Sequence, residues 1–136
     1  MNLELIKQKI TDLKVCVIIP TYNNQRTLKR VIDGVLELTT NIIVVNDGST
    51  DTTATTLKEY QQIQQIHFPK NKGKGVALRE GFKHAISLEY NYAITIDSDG
   101  QHFPSDIPNF INELEQNPSK DILIIGARNM SHESVP

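Results

Sequence analysis

An α/β domain with a mostly parallel sheet and helices on both faces is the fold class that this 136-residue sequence predicts. Short β-branched apolar runs alternate with amphipathic helical stripes. The alternation is strict, with five strands and four helices between positions 15 and 125, which implies right-handed crossovers. Each apolar run ends in polar or turn-forming residues, as befits the carboxyl rim of a parallel sheet.

Residues 15–19 (VCVII) form a continuous run suited to a strand buried on both faces, with Pro20 expected to stop it. Leu28, Val31, Ile32 and Val35 then fall at i, i+3, i+4 and i+7, a helix with Asn23 or Asn24 placed to cap it. Residues 41–45 read as a second strand, and Ser49 or Thr50 can cap a more polar helix through Leu57 and Tyr60. Residues 63–68 are a weaker strand ended by Pro69, and a helix over 75–88 places Leu78, Phe82, Ala85 and Ile86 on one side. Residues 92–96 read as the fourth strand. Pro104 lies near the start of the next helix, where its missing N–H costs little, and Ile107, Phe110, Ile111 and Leu114 repeat the helical stripe. Residues 121–125 (DILII) are the fifth strand. Positions 1–14 read as a lead-in, helical or disordered, 15–128 as one domain, and 129–136 as a tail that closes no element and suggests a fragment of something longer.

A net charge of −2 argues against a nucleic-acid partner. No apolar stretch approaches the roughly 20 residues needed to span a bilayer, and the first residues lack a signal-peptide core. The single cysteine, Cys16, cannot form an internal disulfide and suits a reducing compartment, so the cytoplasm is the expected location. A sheet edge left open could pair with a second copy, so a homodimer is also an expectation.

The rim segments are PTYNN (20–24), NDGSTD (46–51), FPKNKGKG (68–75), DSDGQH (97–102) and GAR (126–128). Carboxylates, lysines and helix starts in one place suit a phosphate ligand held with a cation. Asp97 and Asp99 point the same way by strand periodicity, and two adjacent carboxylates favour a divalent ion; Gln101 continues the period. Counted from Asp97, an EF-hand would need Gly at His102 and Glu at Pro108, so that reading fails. A turn-capping role for the two aspartates remains open, as does a phosphohydrolase with Asp97 as nucleophile. Asp47 ends a strand on the rim and could accept from a base N–H or a ribose hydroxyl, whereas Ser49, Thr50 and Asp51 read as helix caps. Lys70, Lys72, Lys74 and Arg79 surround a glycine-rich helix start that is as compatible with a solvated basic face as with a diphosphate site. The four histidines show no metal-ligand spacing.

Taken together, VIIPTYNN, VVNDGSTD, NKGKGVALREGF, ITIDSDGQH and IIGAR resemble, in order and spacing, the inverting glycosyltransferase family 2, and within it the dolichyl- or polyprenyl-phosphate sugar synthases. The resemblance spans about 15–128 and implies the Rossmann-like, nucleotide-binding half of a GT-A fold. It implies a UDP- or GDP-linked sugar as donor, a lipid phosphate as acceptor, and a place at the cytoplasmic face of a membrane. Pro20, Thr21 and Tyr22 would line the nucleotide pocket, Asp47 would contact the base, and Lys74 would lie near the ribose or diphosphate. Asp97, Asp99 and Gln101 would hold Mg²⁺ or Mn²⁺, Asp99 taking the catalytic role through that ion, and Arg128 would face the acceptor phosphate. The sequence departs from the family at Asn24, in a substrate-binding position where Glu is frequent. Family members continue past this point into a segment that supplies the acceptor site and general base. A chain without that segment is alternatively a non-catalytic nucleotide-binding module.

Overall fold

The computed structural model describes residues 2–98, 104–116 and 123–126, the last four as backbone only. Its centre is β1 (Val15–Thr21), whose seven residues are all buried. Val15, Val17 and Ile19 face one apolar cluster, while Cys16 and Ile18 face another, so the continuous apolar run reflects cover on both sides. Parallel partners lie on both edges: β2 (Ile42–Asn46) in the register Thr21 to Asn46, and β4 (Tyr92–Thr95) in the register Ile18 to Thr95. β3 (Gln64–His67) and β5 (Leu123–Gly126) complete the order β3-β2-β1-β4-β5, with every pairing parallel.

Pro20 does not stop β1. Successive residues of a strand direct their N–H and C=O to opposite edges. The Ile18 carbonyl accepts from Ile96 on the β4 side, and the Thr21 carbonyl accepts from Asp47 on the β2 side. Pro20 therefore faces β4, beyond the end of that strand, where no ladder partner needs its missing N–H.

Helices cover both faces. α2 (Gln25–Leu36) buries Leu28, Val31, Ile32 and Val35 as its period predicts, and α3 (Thr53–Leu57) buries Leu57 in the same cluster. α4 (Lys74–Ser87) lies on the opposite face and touches the sheet through Ala77, Gly81 and Ala85. A Cβ on Gly81 would sit 2.8 Å from Ile18 Cγ2, so the helix rests on β1 at a distance only glycine allows. Because contact runs along this small-residue row, Leu78 and Phe82 are half-buried on a flanking row, and Ile86, expected inside, is 58% exposed.

The lead-in is part of the core. α1 (Leu3–Leu13) is capped by the Asn2 side chain on Leu5 N, and it buries Ile6 and Ile10 in the α2-side cluster. Lys9 ties α1 to α5 (Ile107–Gln116) through Glu115 at 2.8 Å. α5 follows a 3-10 turn at Pro104–Asp106 and buries the predicted Ile107, Phe110, Ile111 and Leu114. It packs on the α2 side, not the α4 side. The steps β1 to β2 and β2 to β3 run one way across the sheet over that face, and β3 to β4 runs the other way over the opposite face, so these three connections share one hand. The step β4 to β5 runs the second way over the first face and therefore has the other hand, against the expectation of uniform right-handedness. Residues 121–122 of the predicted fifth strand lie outside the described residues. Among the described residues no helix is long and apolar enough to cross a membrane.

Ile10 is 1% exposed. Ile10→Ala is expected to lower stability by about 2–5 kcal/mol in urea unfolding, since it empties a filled site; a cost near zero would mean that α1 is dispensable. Cys16 is fully buried, and burial pushes its thiol up to about 12 against a weaker opposing backbone hydrogen bond. The neutral thiol is favoured in the fold, so iodoacetamide at pH 8 is expected to modify Cys16 only after urea is added.

Candidate functional site

The carboxyl ends of β1, β2 and β4 and the start of α4 enclose a crevice of about 340 Å³. Chain growth leaves β1 toward β2 on one side and later arrives at β4 on the other, so the crevice lies at the reversal point where open parallel sheets bind ligands. Pro20, Thr21, Tyr22, Asn24, Asp47, Lys74 and Asp97 all line it. Asn71, Gly73 and Ser98, which belong to the expected rim segments without a role of their own, line it as well, as does Ala77. Asp99, Gln101, His102 and Arg128 lie outside the described residues.

Three loops build this rim by bonding to one another. Asn23 adopts φ 54, a left-handed conformation that Asn tolerates. Its Oδ1 accepts from Thr50 N at 2.8 Å, and its backbone N–H donates to Ser49 Oγ at 3.0 Å. Neither Asn23 nor Asn24 caps α2 through its side chain. The capping falls to Asp51, which accepts from Gln25 N at 3.3 Å and from Thr53 N at 2.9 Å, so one carboxylate serves the first N–H of two helices. Burial alone would raise the Asp51 pKa, but hydrogen bonds from Thr53 and Gln25 outweigh it and hold the carboxyl below its usual range. Ser49 and Thr50, the expected caps of α3, serve the Asn23 link instead.

Asp47 is 3% exposed, and its carboxylate organises the lysine-rich loop. Oδ1 accepts from Lys72 N at 2.7 Å, while Oδ2 accepts from Gly73 N and Asn71 Nδ2, each at 3.0 Å. Gly48 follows at φ 70, where a Cβ would fall 2.2 Å from the Lys70 carbonyl carbon. The two loops are thus in backbone contact, and only glycine fits between them.

Of the basic cluster, Lys74 alone lines the crevice. Lys72 stands over the Phe68 ring at 4.8 Å and Arg79 approaches Glu80, both on the surface. Lys74 Nζ meets Asp97 Oδ1 at 2.5 Å across the crevice, with the Asp97 side chain 17% exposed. Thr21 Oγ1 is buried without a hydrogen-bond partner among the described residues, an exception that calls for a ligand or a water. His67 and His84 bond to Asn46, Gln65 and Gln64 along β3, away from the crevice lining. Among the described residues no three acidic, His or Cys side chains cluster as a metal site.

The architecture and its crevice define a doubly covered parallel α/β domain with an anion- and cation-compatible site at its reversal point. The profile described as Glycosyl transferase family 2 matches residues 16–131. The chain belongs to this family. It is 33% identical over 136 residues to the UDP-N-acetylglucosamine–dolichyl-phosphate N-acetylglucosaminyltransferase of Methanococcus voltae, covering 88% of this chain and 53% of that protein. It is 33% identical over 121 residues to the dolichyl-phosphate beta-glucosyltransferase of Saccharomyces cerevisiae, covering 77% of this chain and 35% of that protein. The chain thus spans about half of the first relative and about a third of the second. Among solved structures, glucosyl-3-phosphoglycerate synthase from Mycobacterium tuberculosis, in complex with Mn²⁺ and UDP-glucose, superposes with a TM-score of 0.68. The match has 22% identity over 87% of this chain and 45% of that one, and it shows the shared GT-A fold.

Asp47→Ala is expected to accelerate hydrogen exchange at Lys72 and Gly73 and to lower stability by about 1–3 kcal/mol, because two backbone donors lose a buried acceptor. Unchanged exchange at both amides would show that the loop is held by other means.

Proposed function

We propose that this chain forms the donor side of a glycosyltransferase that moves a sugar from UDP to an acceptor, with inversion at the sugar carbon. The observation that carries the reading is the Lys74–Asp97 pair facing across a crevice into which α4 directs its N-terminus. A helix start with an ammonium group suits a diphosphate, and Asp97 offers a hard oxygen donor that suits Mg²⁺ or Mn²⁺ rather than a soft metal. The ammonium against Asp97 marks this carboxylate as a place where positive charge is accepted. Asp97 would be one ligand of the ion, with Asp99 and Gln101 as the further expected ligands. When bound, a divalent cation supplies charge stabilisation for the departing nucleoside diphosphate.

The chain's own residues then have distinct tasks. Lys74 releases Asp97 and turns to the diphosphate oxygens, keeping the crevice neutral as the ligand enters. Tyr22, 45% exposed at the rim, offers an aromatic face to the base. Thr21 Oγ1 offers the ribose or base a hydroxyl that lacks a partner among the described residues. Asp47 acts mainly through the 71–73 loop and has lone pairs left for one ligand N–H or O–H. The relatives named for dolichyl phosphate support a polyprenyl phosphate as acceptor, which would bring the protein to the cytoplasmic face of a membrane, with Arg128 toward that phosphate.

Calorimetric titration with UDP-sugars, in Mn²⁺ and then in EDTA, tests this. Mn²⁺ is expected to tighten binding, and Asp97→Ala to abolish that gain. Lys74→Met is expected to weaken UDP binding roughly 10–100-fold through the lost charge-assisted contact. Equal affinity in Mn²⁺ and EDTA, from folded protein, would overturn the metal assignment.

A further inference from the structure

Ser98, between the two rim aspartates in sequence, is 1% exposed, and both its hydroxyl and its carbonyl are bound by other parts of the chain. Its hydroxyl donates to the Pro20 carbonyl at 3.1 Å. That spends its only proton, so the hydroxyl accepts from Asn24, whose Nδ2 lies 2.7 Å away. The Ser98 carbonyl in turn accepts from the Thr27 hydroxyl on the first turn of α2. Sequence separations of 71 to 78 residues make these contacts tertiary, not turn-internal.

We infer that Asn24 and Thr27 are positioning residues: through Ser98 they set where Asp97 stands in the crevice, and so how well it takes a divalent cation. This rests on the donor-site reading above and goes beyond it, because Asn24 then acts on the ion through Ser98 instead of on the nucleotide. The physical reason is local. On the β1 side the ladder runs to the bond from Ile96 N to Ile18 O, and Ser98, two residues further on and next to Asp97, makes the next contacts with β1 and α2. Pro20 contributes to the same arrangement. Facing the β4 side with no N–H, it offers that side only its carbonyl, which the Ser98 hydroxyl fills. The clamp thus joins the ends of β1 and β4 and the start of α2 at the residue next to the carboxylate.

The test reads the gain in UDP affinity when EDTA is replaced by Mn²⁺, with thermal melts as a check on folding. Thr27→Val, outside the crevice lining, is expected to shrink that gain roughly 10–100-fold, the usual loss when the support of a metal ligand is removed, and to leave UDP affinity in EDTA unchanged; Asn24→Ala is expected to shrink the gain to a similar extent. Thr27→Ser, which keeps the hydroxyl, is expected to restore it. Both side chains are half-buried, so the variants have room to fold; if Thr27→Val does not, the Asn24→Ala and Thr27→Ser results decide. A full Mn²⁺ gain in folded Thr27→Val or Asn24→Ala would overturn the inference, and so would weaker UDP binding by Thr27→Val in EDTA. If wild type itself shows no gain from Mn²⁺ and Asp97→Ala changes nothing, the donor-site reading fails and takes this inference with it.

Discussion

The rim depends on one constraint: β1 is buried on both faces and paired in parallel along both edges. A strand so enclosed cannot slip, because a one-residue shift would exchange its two apolar faces and break two ladders together. With β1 fixed, the ends of β2 and β4 are fixed beside it, one through Thr21 and Asn46 and the other through Ile18 and Thr95. Groups from distant parts of the sequence, from Pro20 to Ser98, meet in one crevice. Here the sheet register achieves this before any side chain in the crevice acts.

Beyond the register, the loops hold one another. Asn23 bonds the β1 loop to the β2 loop, Asp47 bonds the β2 loop to the α4 loop, and Asn24 bonds the β1 loop to the residue after Asp97. Little polar capacity is left unmatched. Backbone amides occupy both oxygens of Asp47, Lys74 balances Asp97, and Lys72 and Arg79 are engaged outside the crevice. The crevice therefore combines order with charge balance. On the proposed reading, a diphosphate arriving with a divalent ion would exchange one set of charge pairs for another, which costs less than burying an unpaired charge.

Period and turn chemistry made most of this visible in the sequence. The stripe of Leu28, Val31, Ile32 and Val35 and that of Ile107, Phe110, Ile111 and Leu114 are burial patterns set by helix geometry, and both are observed. Seven of the expected site residues line one crevice because strand ends in a parallel sheet converge whatever their spacing in sequence. What stayed hidden is what depends on partners far along the chain. Pro20 reads as a stop until one knows which edge it faces. Ser49, Thr50 and Asp51 all read as caps, but that Asp51 does the work, and does it for two helices, depends on Gln25 coming close enough to share it. Ile86 matches the helical period, but the small residues Ala77, Gly81 and Ala85 set the contact row. α1 reads as an appendage, since its two core residues, Ile6 and Ile10, make too sparse a stripe to announce a helix that packs. Ser98 and Thr27 carried no signal beyond being small and polar.

Gly81 has an effect well away from its own surroundings. Resting against Ile18 without a Cβ, it serves as the pivot on which α4 lies across the sheet. Lys74 stands seven residues before it, about 10 Å along the helix axis at the rise of an α-helix. A small tilt at the pivot therefore becomes a larger swing of the ammonium group at the tip, toward or away from Asp97. The missing methyl group thus works as a fulcrum, and the height of one helix above one strand fixes the width of the crevice mouth.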